Sequence, residues 1–291
     1  MHGTPIVIAH RGASGYAPEH TLAAYFIAMQ QGAHYIEPDL VMTRDGVLVA
    51  RHENEISQTT DVAQHPQFAQ RRTRKTIDGV VVEGWFTEDF TLAELKRLRA
   101  VERLRELRSC NARFDRMFAI PTLDEILTLV AALQPMLPQL VGVYPETKHP
   151  SYFTALGLPM EDGLVRTLQR YGYRGRGAPV FIQSFETGNL RLLRTLTEVA
   201  LVQLVDDGGQ PFDLTQSGDP RRYADLITRA GLREVAGYAD ALGVNKNLVL
   251  TGTGGGWGAP TALVEDAHAA GLAVHVWTLR AENHLDRKSV V

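Results

Sequence analysis

Cysteine is nearly missing from this 291-residue chain, with Cys110 standing alone. No internal disulfide can form, and a lone thiol in a stretch of mixed charged and apolar residues reads as an inert filler rather than a nucleophile. Long apolar runs are missing too: nothing approaches the about eighteen residues of a membrane span, so no stable membrane insertion is expected. Charge of one sign is not in excess, since 30 Lys and Arg against 33 Asp and Glu leave a formal charge of -3. That balance excludes nucleic acid, or an anionic membrane surface, as the natural partner. Low-complexity sequence is confined to the glycine-rich segment 251–258. It lacks the Lys-Ser/Thr ending of a phosphate-binding loop and does not join a strand to a helix in register, so it reads as a surface loop. The first apolar run begins at residue 6, which leaves no room for a signal peptide ahead of it.

What is present is 44% hydrophobic residues, enough to bury one large core, and an alternation of two periodicities. Strand-like runs fall at 6–9, 35–41, 141–144, 180–182, 200–205, 241–244 and 272–278. Helical patterns fall between them at 22–31, 123–133, 164–171, 190–196, 223–238 and 261–270. Strand followed by helix, repeated in this way, predicts a parallel sheet with right-handed crossovers. Candidate site residues at several strand ends favour a TIM-type (β/α)8 barrel over an open sheet. Asp45-Gly46 predicts a hairpin that extends the second strand and returns His52 toward the site. Residues 53–121 break the rhythm with a polar loop, a basic patch at 71–75 and a helix at 92–99. An insertion of that length predicts a lid or binding loop that selects substrate within a single domain over 1–291.

The chemistry gathers at the strand ends. His10-Arg11-Gly12 carries a proton carrier and a fixed cation from the first strand into a glycine-bearing loop. Glu37 and Asp39, two apart on the next strand, share a face, and adjacent carboxylates repel unless a cation lies between them. Lys148 lies two residues past Glu146 and points the same way on an extended backbone, as a point charge for a phosphate oxygen. Arg11 offers a planar fork to phosphate, or a structural pair with Glu19. All-oxygen ligands favour Ca²⁺ or Mg²⁺ over Zn²⁺. Trp277 and Phe185, on later strands, are candidates for an apolar wall against substrate carbons, with core burial an equal reading for Phe185. His149 and most other histidines show no comparable setting, while His20 reads as a helix-start residue or as support for a ligand.

These motifs, with Pro18-Glu19-His20-Thr21, Tyr144-Pro145-Glu146-Thr147-Lys148, Gln183-Ser184-Phe185 and Val276-Trp277-Thr278, resemble the glycerophosphodiester phosphodiesterase family. The likeness runs from about residue 6 to about residue 280 and is strongest to its bacterial secreted branch. The resemblance implies a phosphodiesterase barrel of the phospholipase C type. It implies His10 and His52 as general acid and base, and Glu37, Asp39 and Glu146 as metal ligands. Arg11, Lys148 and Trp277 would bind substrate. The cation would be Ca²⁺ rather than Mg²⁺, and the substrate a small glycerophosphodiester such as glycerophosphocholine, hydrolysed to glycerol 3-phosphate and an alcohol. Location is periplasmic by branch and cytoplasmic by the missing signal peptide; oligomeric state is not specified. A lysophospholipase D or sphingomyelinase D-like enzyme, or a barrel that binds glycerophosphate without turnover, are the other readings. Relatives continue beyond residue 285 with a helix and an eighth strand; 286–291 does not, which predicts a barrel lacking its eighth strand through C-terminal truncation.

Overall fold

The apolar run that ends in His10 forms β1 (Ile8–His10), and Thr21 then starts α1 (Leu22–Gln30) by accepting a hydrogen bond from the Ala24 backbone N–H. The structure is a computed structural model and describes residues 5–251, 258–280 and 282. The chain divides into two compact units at residues 180 and 181. In the first unit β2 (Tyr35–Glu37) lies parallel to β1, with His10 level with Glu37. Pro38 has no N–H to give a ladder, so the strand is interrupted there and resumes as β3 (Asp39–Met42). β3 turns through Asp45-Gly46 into antiparallel β4 (Leu48–Ala50), as expected, with Gly46 at φ 77°. His52 follows two residues after β4.

The expected polar insertion has structure of its own. β5 (Thr73–Ile77) and β6 (Val80–Gly84) form a hairpin, and the 71–75 patch is ion-paired within the insertion rather than displayed. Arg71 meets Glu94, Arg72 and Arg74 meet Glu83, and Lys75 meets Glu88 and Asp89. The helix expected at 92–99 is a single turn, α2 (Leu92–Leu95), held by a Thr91–Glu94 capping box. Past it the backbone tightens, with Arg97 N–H donating to Glu94 and Leu98 N–H to Leu95, before Asp61 takes the Arg99 N–H at 2.8 Å. Phe68, Phe86, Phe90, Leu95 and Leu98 bury a core for the insertion, each large side chain contributing about 1.5–3 kcal/mol.

After α3 (Leu123–Leu133), β7 (Gly142–Val143) pairs in parallel with β2, and β8 (Glu146–Thr147) with β3, placing Asp39 level with Glu146. Pro145 interrupts this strand beside Pro38, yet the ladder passes both prolines: Tyr144 N–H donates to Ile36, Glu146 N–H to Pro38 and Lys148 N–H to Leu40. The continuous strand expected at 35–41 is therefore correct in course though broken at its proline. α4 (Pro150–Ala155) and α5 (Glu161–Arg170) complete this unit.

The second unit is a parallel ladder in the order β9 (Phe181–Ser184), β10 (Ala200–Val205), β11 (Ala241–Asn245) and β12 (Ala273–Trp277). α6 (Thr187–Leu196), α7 (Phe212–Ser217), α8 (Tyr223–Leu226), α9 (Arg229–Val235) and α10 (Leu263–Ala269) fall between the strands. The helix expected at 223–238 is two, because Thr228 caps a new start by accepting from Gly231 N–H at 3.0 Å. The expectations about the centre of the glycine-rich segment and about 286–291 lie outside the described residues.

Arg11 and Gly12 both take positive φ, 62° and 80°, which swings the loop after β1 over α1. A Cβ on Gly12 would sit 2.7 Å from the Ala24 carbonyl carbon. Gly12→Ala should therefore lower Tm by roughly 4 °C or more, from combined strain and backbone clash; a thermal melt checks it, and an unchanged Tm would show that the loop can relax.

Candidate active site

Two parallel strand pairs end at one place and set their polar side chains together. From β2, β3 and β8, Glu37, Asp39 and Glu146 each offer a carboxylate oxygen, all within 4.8 Å of one another and all buried. Burial, reinforced by Asp39 and Glu146, holds Glu37 well above the carboxylate range. Burial and Asp39, opposed by Lys148, push Glu146 up to about 7. Burial works the same way on Asp39, but His20, His52 and Lys148 outweigh it and hold that carboxyl well below its ordinary value. Asp39 Oδ1 is buried and has no hydrogen-bond partner among the described residues. An orphaned oxygen beside two carboxylates that resist ionising is the environment a hard cation relieves, so these residues fit a divalent cation.

Around this cluster stand the expected cations. The Arg11 backbone N–H donates to Glu37 Oε2 at 2.8 Å, its Nη1 donates to Glu19 Oε1 at 3.1 Å, and its Nε is 3.5 Å from Asp39 Oδ2. The pair with Glu19 and the place in the site thus hold at once. Glu19 also meets Arg103 of the insertion at 3.2 Å. Lys148 Nζ donates to Glu146 Oε1 at 2.9 Å and lies 3.4 Å from His52 Nε2. Burial would strip its proton, but Glu146 and Asp39 hold it firmly charged.

His10 ends β1 beside Arg11; burial, and then Arg11, hold its basicity well below the ordinary imidazole value. His52 is brought down to about 4 by burial, Lys148 and Arg11, which leaves it neutral at pH 7, and its Nδ1 is 2.7 Å from Glu53 Oε1. His20 is fully buried, with Nε2 2.9 Å from Asp39 Oδ2 and Nδ1 2.7 Å from Tyr25 Oη. It braces the Asp39 carboxylate. Trp277 and Phe185 lie in the second unit, edge to face at 5.8 Å.

Sequence reasoning missed Glu53, Arg51 and His149. Glu53 adjoins His52 but carries no motif of its own. Arg51 is buried at the end of β4, with Nη1 donating to Glu19 O at 3.1 Å, and looks in sequence like any strand-end arginine. His149 touches Glu53 and Asp78, partners 96 and 71 residues away. The one readable signal was Asp78-Gly79 between two alternating runs, which marks the β5–β6 hairpin.

Comparison with known proteins agrees with this geometry. The model of the glycerophosphoryl diester phosphodiesterase family matches residues 10–289. A glycerophosphodiester phosphodiesterase of Arabidopsis thaliana is 35% identical over 96% of this chain and 75% of its own length. One of Haemophilus influenzae is 29% identical over 97% of this chain and 80% of its own. Among solved structures, a putative glycerophosphoryl diester phosphodiesterase of Silicibacter pomeroyi matches with a TM-score of 0.71 at 22% identity, over 96% of this chain and 84% of that one. An Oleispira antarctica phosphodiesterase, solved with its product sn-glycerol-3-phosphate, matches at 0.64 and 23% identity, over 98% and 90% of the two chains. The fold is that of these proteins, the TIM-type barrel expected from the strand and helix alternation. With a match that covers the chain from the His-Arg-Gly strand end onward, this protein belongs to the glycerophosphoryl diester phosphodiesterase family.

Proposed function

We propose that this chain hydrolyses small glycerophosphodiesters to glycerol 3-phosphate and an alcohol, with His10 and His52 exchanging protons across a phosphate that Arg11 and Lys148 hold. The observation that carries the reading is three buried carboxylates set against a buried arginine and a buried lysine at one end of parallel strands. Glu37, Asp39 and Glu146 would hold a divalent cation, which when bound supplies Lewis-acid stabilisation of phosphate and hydroxyl oxygens. Ca²⁺ is our choice over Mg²⁺, because ligands from three separate strand ends suit a larger and less exacting coordination shell.

The protein's own groups then divide the work. Arg11 Nε, without a hydrogen-bond partner in the free protein, and Lys148 Nζ offer positive charge where negative charge gathers on the phosphoryl oxygens. Glu19 braces the Arg11 guanidinium from the far side, so the fork stays aimed at the cluster. One histidine accepts the proton of the attacking hydroxyl while the other protonates the departing alcohol; attack by water gives glycerol 3-phosphate directly, and attack by the neighbouring glycerol hydroxyl gives a cyclic phosphate that water then opens to it. His52 does its part through Nε2, since Nδ1 is engaged by Glu53.

The deciding experiment incubates the purified protein with glycerophosphocholine, and separately with lysophosphatidylcholine, in Ca²⁺, in Mg²⁺ and in excess chelator. Choline and glycerol 3-phosphate should be released from the first substrate only, and chelation should abolish it. Turnover of the lysolipid alone would move the assignment to a lysophospholipase D. Tight binding of glycerol 3-phosphate without turnover would mark a binding protein.

A further inference from the structure

Starting at His52 itself, four ionisable side chains form an unbroken line that ends in the insertion. Glu53 Oε1 is 2.7 Å from His52 Nδ1, and Glu53 Oε2 is 3.2 Å from His149 Nε2. His149 Nδ1 in turn lies 2.6 Å from Asp78 Oδ2. Asp78 belongs to the turn of the β5–β6 hairpin. Asp78 and Gly79 have φ of 47° and 82°, the paired positive values of a type I′ turn, for which Asp-Gly is a favoured sequence. His149 also takes a left-handed backbone, at φ 50°, just ahead of Pro150 and α4. Two non-glycine residues in this sparsely populated region therefore meet side chain to side chain, a geometry that the surrounding structure must hold in place.

The alternation carboxylate, imidazole, carboxylate, imidazole settles where the protons sit. With carboxylate oxygens as the acceptors, His149 donates from both ring nitrogens and His52 donates from Nδ1. Burial alone would strip His149 of its extra proton, but Asp78 and Glu53 raise it to about 9, so it stays charged through neutral pH. The other charge facing it is Lys148, which opposes the rise. Glu53 is half exposed and would sample several rotamers if only one oxygen were engaged; with both engaged it presents a fixed acceptor to His52.

We propose that Asp78 and His149 are positioning residues: the hairpin turn of the insertion, acting through Glu53, fixes the ring orientation and tautomer of His52 so that Nδ1 keeps its hydrogen and Nε2 presents the lone pair that exchanges the proton. This gives the insertion a part in the chemistry itself, beyond the selection of substrate. It rests on the reading of His52 as a proton carrier, and the test keeps the two apart.

Asp78→Asn is the first variant, because asparagine tolerates the left-handed turn and keeps the hairpin while removing the acceptor charge. His149→Ala is the second. In each, kcat for glycerophosphocholine should fall about tenfold, with KM and the cation requirement unchanged. Nitrogen-15 NMR of His52 should show the Nδ1–H tautomer in the parent and a mixture of tautomers in His149→Ala. In a His52→Ala background neither substitution should cost anything more, since the line then has nothing to position. Should His149→Ala fail to fold, Asp78→Asn with the same NMR readout decides alone. An unchanged kcat and unchanged tautomer in Asp78→Asn, alongside an inactive His52→Ala, would overturn the positioning role and leave the proposed function standing. Full turnover in His52→Ala would instead overturn the role of His52, and this proposal with it.

Discussion

Replacing His10 or His52 by alanine is expected to lower kcat by about 10²–10³, the scale on which a general acid or base contributes. Each occupies a strand end beside the cations rather than within the carboxylate cluster, so its loss should leave cation binding intact. KM should move little, because Arg11 and Lys148, which hold the phosphate in this reading, keep their partners Glu19 and Glu146. The pattern to look for is therefore a fall in kcat with an unaltered cation-induced rise in Tm, since a ligand that binds only the folded state stabilises it whether or not turnover follows. Lys148→Ala should behave differently, raising KM as well as lowering kcat and freeing Glu146 from the cation it pairs with. Turnover near that of the parent in His10→Ala or His52→Ala would remove that residue from the mechanism.

The parts of this site that sequence made legible share a physical reason. Period two on a strand puts Glu37 and Asp39 on one face whatever lies around them, and a strand that runs into His10-Arg11-Gly12 must deliver those side chains at its end. Pro38 and Pro145 threatened the pattern. They interrupt their strands at the same level, and the neighbouring N–H groups carry the ladder past them. The structure inside the insertion was legible only as a polar loop with a basic patch, because its charges pair with each other: a basic run that neutralises itself against Glu83, Glu88, Asp89 and Glu94 looks, in one dimension, like a solvated stretch. Glu53 and His149 were invisible for another reason. Their contacts join segments brought together only when β4, β8 and the β5–β6 hairpin are folded, and no local periodicity encodes that meeting.

The largest change in stability should follow from removing a charge that the cation-free protein can hardly bear. With chelator present, Glu37 and Glu146 keep protons at pH values where the unfolded chain has released them, Glu146 up to about 7 against an ordinary carboxylate near 4.5. Through these two groups the folded state holds protons that the unfolded chain has released, so their contribution to stability is greatest below about 4.5 and is lost as pH rises toward 7, while His10, His20 and His52, held below their ordinary value, contribute the opposite slope. In thermal melts the gain in Tm that saturating Ca²⁺ or Mg²⁺ gives over chelator should therefore grow as pH rises across that window. Glu37→Gln takes away one of three mutually repelling carboxylates while keeping the shape and a hydrogen-bonding group. At pH 7.5 in chelator its Tm should exceed that of the parent by several degrees, on the order of 1–3 kcal/mol of relieved burial and repulsion. The same variant should lose diesterase activity and most of the cation-induced rise in Tm, because the charge that destabilises the empty cluster is the charge that binds the metal. A Glu37→Gln protein no more stable than the parent in chelator, or a parent whose Tm ignores the cation, would show that the three carboxylates do not form a cation site.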